Sequence, residues 1–148
     1  MATSHPHSAP DVMDFLGGSR VLGPVKEPVD VQDAIRDGLP YAAFEALVDA
    51  LQLTRRDVTE IIGMASRTLA RRKERKHLSP IESDRLYRIA RITQIAAETL
   101  GGIDEARAWL SRGNRSLGGQ RPLRMLDTEI GARQVEEALT RINYGMFA

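Results

Sequence analysis

Residues 54–76 run Thr54-Arg-Arg-Asp-Val-Thr-Glu-Ile-Ile-Gly63, Met64-Ala65-Ser66, then Arg67-Thr-Leu-Ala-Arg-Arg-Lys-Glu-Arg-Lys76. The pattern is that of two short helices joined by a tight turn. Thr54 with Asp57 predicts a capping box, in which the hydroxyl meets an orphan backbone N–H and the carboxylate returns to the cap's own amide. Val58, Ile61 and Ile62 fall on the inward face of the first helix. Gly63 permits the turn, and Ser66 is the expected N-cap of the second helix. In that second helix Leu69 is the only large apolar side chain, so the rest of its surface is left to a partner. The expectation is a helix-turn-helix.

Charge supports it. The ten residues Arg67–Lys76 carry +5, whereas the whole chain carries a formal charge of +1. Such focusing on one helical stretch is the electrostatic footprint of a phosphate-binding surface. At 100° per residue the positions pointing furthest from Leu69 are Arg67, Thr68, Arg71, Glu74 and Arg75. Arg67, Thr68 and Arg71 are expected to read base edges, because they lie near the helix N-terminus that enters the major groove. Arginine can clamp guanine O6 and N7 with two hydrogen bonds. Ser66, Arg55 and Arg56 are expected on phosphates, and Arg72, Lys73, Arg75 and Lys76 are expected to add charge without sequence information.

Outward from this motif the chain reads as all-α. Val31–Asp37 predicts a short helix, stopped by Gly38 and Pro40. Pro40–Leu51 places Phe44, Leu47, Val48 and Leu51 on one stripe. Ser79-Pro80-Ile81-Glu82 combines an N-cap serine, a proline at the first helical position and a glutamate at the third. The helix it opens carries Leu86, Ile89, Ile92, Ala96 and Leu100 inward and stops at Gly101-Gly102. Asp104–Leu110, one turn at Arg121–Leu126 and a last helix at about Thr128–Tyr144 complete the pattern. Trp109 reads as a core residue. No segment alternates with period two for long enough to make a strand. Residues 1–28 hold four prolines and three glycines, a density of breakers that permits at most a short helix near Asp11–Leu16. Three parts are expected: a flexible segment at 1–28, a helix-turn-helix domain at 29–100 and a small helical domain at 101–148.

Several classes of function are disfavoured. There is no cysteine, so disulfides, zinc fingers and thiol catalysis are out, in keeping with a reducing cytoplasm. The three histidines are scattered, and neither a metal site nor a cofactor is expected. No apolar run approaches the ~20 residues of a membrane helix. No nucleophile stands with a base and no acids are paired, so the chain is not read as an enzyme.

Residues 101–148 carry a second signal. Tyr144-Gly-Met-Phe-Ala148 is an apolar ending, where a free terminus is normally polar, so it is expected to dock on its own domain or on another protein. Trp109-Leu110, Asn114, Leu117-Gly118-Gly119, Pro122-Leu123, Leu126, Thr128, Gly131, Val135, Leu139, Ile142 and Tyr144-Gly145 stand in an order that resembles the C-terminal toxin-binding domain of the Xre/MbcA/ParS antitoxins. With the helix-turn-helix before it, the resemblance covers about residues 30–148. One departure is visible. Many relatives place a proline just before the asparagine, whereas this chain reads Arg112-Gly113-Asn114.

The resemblance implies a type II antitoxin. Its expected partners are a RES-domain toxin that degrades NAD⁺, whose active site it blocks, and the operator DNA of its own operon. A homodimer within a larger toxin–antitoxin complex is implied as well. Asn114, Leu117, Gly118, Gly119, Arg141, Tyr144 and Phe147 are the expected toxin contacts. The rival readings are a stand-alone phage-type repressor and a toxin-binding module that does not bind DNA.

Overall fold

The computed structural model describes residues 11–145. Among them, nine α-helices occur in the order α1 (Val12–Phe15), α2 (Ser19–Leu22), α3 (Pro28–Asp37), α4 (Tyr41–Leu51), α5 (Arg55–Ile62), α6 (Ser66–Arg75), α7 (Pro80–Leu100), α8 (Ile103–Ser111) and α9 (Glu129–Asn143). Two 3-10 segments, Arg115–Leu117 and Pro122–Asp127, lie between α8 and α9. No strand forms among the described residues, in agreement with the all-α expectation.

The long helix α7 is the axis of the molecule. Its Ser79–Glu82 capping box forms as the sequence predicts, and Gly101 ends it in a left-handed conformation at φ 103°. Leu86, Ile89, Ile92 and Ala96 are fully buried along it. α1, α3 and α5 contact α7 on the helix-turn-helix side, and α8 and α9 contact it on the other. One apolar cluster therefore runs from Val12 to Leu139 without a gap at residue 100. Phe44, Leu47, Val58, Leu110, Val135 and Leu139 all sit in it with almost no exposure. Each such side chain contributes roughly 1.5–3 kcal/mol by leaving water.

The connections on either side of the helix-turn-helix are tied to each other. The Tyr41 N–H donates to the Lys76 carbonyl (2.8 Å) and the Leu78 N–H donates to the Leu39 carbonyl (2.9 Å). Ser83, buried on α7, accepts from the Leu39 N–H (2.8 Å) and donates to the Ser79 carbonyl (2.7 Å). A buried hydroxyl satisfied in both directions costs nothing in unpaired polarity and fixes the approach of the loop.

Four expectations change. Residues 11–28 are not a flexible lead: Phe15 and Leu16 are buried against α4 and α7, and Leu16 has no exposure at all. The prolines and glycines limit the length of α1 and α2 without preventing the apolar residues between them from docking. Second, Ala65 and not Ser66 is the N-cap of α6, and no side chain caps that end. Third, Trp109 is only half-buried, packed on the rim of the core. α3 also starts three residues earlier than the periodicity suggests, at Pro28, whose fixed φ suits the first helical position.

Candidate nucleic-acid and partner interfaces

The helix-turn-helix is α5, a turn at Gly63–Ala65, and α6. The Thr54 hydroxyl accepts from the Asp57 N–H (3.1 Å), and the Asp57 carboxylate accepts from the Thr54 N–H (3.1 Å). These hydrogen bonds hold the Asp57 carboxyl below its ordinary range, with Arg124 and Arg56 adding to the effect. Gly63 takes φ 79° at the end of α5. Arg85 from α7 donates to the Ile62 carbonyl at 2.7 Å, satisfying an orphan acceptor of the α5 C-terminus. The turn is thus held from both ends by polar bonds as well as by Val58, Ile61 and Ile62.

α6 is docked on one side only. Leu69 packs on the core, Thr68 is half-buried, and Ser66, Arg67, Arg71 and Arg75 are exposed. Arg67, Arg71 and Arg75 form an i, i+4, i+8 row on the outer surface. Among the described residues none of Arg67, Arg71, Lys73, Arg75 and Lys76 has an ion-pair partner. Like charges four apart destabilise an isolated helix by about 0.2–0.5 kcal/mol a pair, so this row opposes folding and favours a polyanion. The first turn of α6 holds no acid and no capping side chain, which leaves its N–H groups open to an anion.

The other arginines of this site are engaged. Arg72 is turned inward: its Nε donates to Glu82 at 2.8 Å and its Nη2 to the second carboxylate oxygen at 3.3 Å. The two side chains are only 20% and 13% exposed. Burial pushes the Glu82 carboxyl up, but Arg72 and the Ser79 amide outweigh it and hold it below the ordinary glutamate value. Arg55 is paired with Glu45 (3.0 Å) and Arg56 with Glu60 (3.1 Å). Of the ten positions expected at DNA, six (Ser66, Arg67, Arg71, Lys73, Arg75 and Lys76) are exposed and free of ion pairs among the described residues.

The C-terminal residues expected at a partner do not form one patch. Asn114 works within its own loop: its Oδ1 accepts from the Ser116 N–H (2.9 Å) and hydroxyl (2.7 Å). Its backbone closes the loop onto Gly119 and Gln120. Gly118 and Gly119 both take left-handed φ values of 68° and 81°, which a side chain resists. Leu117 and Gly118 line a polar groove of about 370 Å³ with Met125, Gln134, Glu137 and Arg141. Tyr144 lies away from it, 76% exposed, beside Ile95, Glu98 and Thr99. Phe147 lies outside the described residues. Trp109 lines a separate cleft of about 450 Å³ with Leu100, Glu105, Arg112 and Asn114.

Gln134, Glu137 and Arg141 were not all anticipated, though their i, i+3, i+7 spacing on α9 places them on one face. Gly131 sets the floor of this module. A methyl group there would collide with the Met125 carbonyl oxygen, so α9 approaches the Pro122–Asp127 segment as closely as it does only because the position has no side chain. Arg124 was missed outright. It leaves that segment to meet Glu60 (2.8 Å) and Asp57 (3.3 Å) on α5.

A helix-turn-helix with a cationic row unpaired among the described residues, joined through one core to a second helical module with its own grooves, defines a two-module helical protein. Residues 30–91 match the antitoxin Xre-like helix-turn-helix domain, and residues 96–145 match the antitoxin Xre/MbcA/ParS C-terminal toxin-binding domain. Antitoxin Xre of Pseudomonas putida is 37% identical over 117 residues, 78% of this chain and 72% of that protein. Antitoxin Xre of Photorhabdus laumondii is 32% identical over 76% of this chain and 77% of its own length. That of Yersinia enterocolitica is 29% identical over 78% and 80% respectively. The chain belongs to the Xre antitoxin family, whose two domains it carries in order; it is not of an enzyme family.

Proposed function

We propose that this antitoxin neutralises a RES-domain toxin that degrades NAD⁺ by covering the toxin's active site, and represses its own operon through α6. The observation that carries the partner half is the groove in which Leu117, Gly118 and Arg141 converge. It is bounded by a loop held rigid by Asn114 and by a helix that offers both a carboxylate and a guanidinium. Arginine is among the residue types that dominate protein interfaces. The exposed Tyr144 adds an aromatic anchor beyond the groove.

The DNA half rests on the Arg67–Arg71–Arg75 row. Arg67 and Arg71 are the base-reading candidates, and Lys73, Arg75 and Lys76 supply charge to phosphates. A homodimer would place two copies of α6 on inverted half-sites about 34–36 Å apart or a multiple of that. Such work belongs in the cytoplasm, and no helix among the described residues is long and apolar enough to cross a membrane.

Co-expression with the neighbouring reading frame tests the partner half. The expected result is a tight complex in which NAD⁺ hydrolysis is suppressed and which Arg141→Glu weakens. A protein that purifies alone and leaves that hydrolysis untouched leaves the stand-alone repressor in its place. Gel shift of the upstream DNA tests the other half. Arg67→Ala with Arg71→Ala should abolish a shift that falls steeply with salt. Binding unchanged by both substitutions leaves a toxin-binding module that does not use α6 on DNA.

A further inference from the structure

The first helix of a helix-turn-helix crosses the phosphate backbone, yet α5 carries acid where phosphate would approach. Arg55 is matched by Glu45, and Arg56 shares Glu60. Counting Glu45, Arg55, Arg56, Asp57 and Glu60, the group carries −1. The balancing charge comes from outside the motif. Arg124, in the Pro122–Asp127 segment of the C-terminal module, donates from Nη1 to Glu60 (2.8 Å) and from Nη2 to Asp57 (3.3 Å). It lies 64 residues from Glu60 in sequence. It is about two-fifths exposed, so its charge stands at the surface.

We propose that Arg124 belongs functionally to the DNA interface: it neutralises the acidic surface of α5, so the C-terminal module sets the affinity of a helix-turn-helix to which it does not belong in sequence. This rests on the DNA-binding reading above. Arg124 is a positioning and screening residue and need not touch a phosphate. Two features support it. The arginine is held in place, because its segment packs on α5 and its neighbours Met125 and Leu126 are buried, while the Leu126 carbonyl accepts from Arg88 (3.2 Å). And Glu60 feels Arg124 more than any other group, its carboxyl being held below the ordinary value first by Arg124 and then by Arg56. Without Arg124, Glu60 would compete with phosphate for Arg56 and repel the strand itself.

The test measures binding of the full chain to a labelled fragment of its own upstream DNA, at two salt concentrations, for wild type, Arg124→Gln, Glu60→Gln and the double variant. Thermal unfolding by circular dichroism shows which variants are folded. One uncompensated charge acting on several phosphates at about 10 Å in water should weaken Arg124→Gln about threefold or more at low salt. The effect should shrink at high salt. The double variant should return to near wild-type affinity, and Glu60→Gln alone should bind more tightly than wild type. A folded Arg124→Gln that binds like wild type overturns the proposal, as does Glu60→Gln with no gain. If Arg124→Gln does not fold, the Glu60→Gln measurement decides by itself. Wild type that fails to bind the fragment, or binds regardless of Arg67→Ala, refutes the DNA-binding reading instead.

Discussion

Replacing Arg72 by alanine separates a structural cation from a nucleic-acid contact within one basic run. The side chain makes two hydrogen bonds to a carboxylate that is 13% exposed. Breaking a fully buried ion pair costs about 3–5 kcal/mol, because a charge is left unpaired. Here water reaches both partners, and the Ser79 N–H still donates to Glu82 at 2.8 Å. The net loss is then about 2 kcal/mol, or about 4–8 °C in Tm for a chain of this length.

The acid response has a definite sign. Glu82 is held below its ordinary value in the folded chain, so its stabilisation is present above the unfolded glutamate value of about 4.3 and lost as pH falls through the lower native one. The gap between wild type and Arg72→Ala should therefore be widest at neutral pH and close in acid. Glu82→Gln in the Arg72→Ala background should recover part of the loss, since it removes the stranded charge. Circular dichroism melts at several pH values read all of this. An Arg72→Ala protein that melts like wild type at pH 7 but loses DNA as fully as Arg67→Ala would refute the structural role and return Arg72 to the phosphate contacts.

Three further outcomes are expected. Leu16→Ala, at a site with no exposure, should lower the urea-derived stability by about 2–5 kcal/mol; a loss near zero would mean that residues 11–22 do not contribute to the core. Gly131→Ala should cost about 1–3 kcal/mol through its clash with the Met125 carbonyl, and should weaken the toxin complex in a pull-down by shifting a wall of the Arg141 groove. Thr54→Ala removes the hydroxyl that caps α5 and should cost about 1 kcal/mol in thermal unfolding.

What could be read from the residues alone was whatever short-range chemistry decides. The Thr54–Asp57 and Ser79–Glu82 boxes, the Gly101 stop and the inward stripes of α4 and α7 depend on neighbours within a few positions, and all are found. Arg72 shows the limit. Three residues beyond Leu69 it lies about 60° round the helix, on the inner side, but only the tertiary fold brings Glu82 to meet it. Arg124 is more hidden still, with partners over 60 residues away. α1 and α2 are four residues each, too short for any period, so the burial of Val12, Phe15 and Leu16 was invisible among the prolines. The site was legible to the same degree: the exposed row on α6 followed from spacing, whereas the separation of Asn114, Arg141 and Tyr144 into different recesses depends on how the loop folds back.

Because α7 serves both modules, its length acts as a phase setting between them. Each residue inserted near Ala90 would rotate everything beyond it by 100° and advance it by 1.5 Å, carrying Arg124 off α5 and Glu129 off Arg88. Recombination that trades partner specificity among relatives is thereby constrained to junctions that keep the helix in register, and chimeras built with α7 at native length should fold where those one residue longer fail.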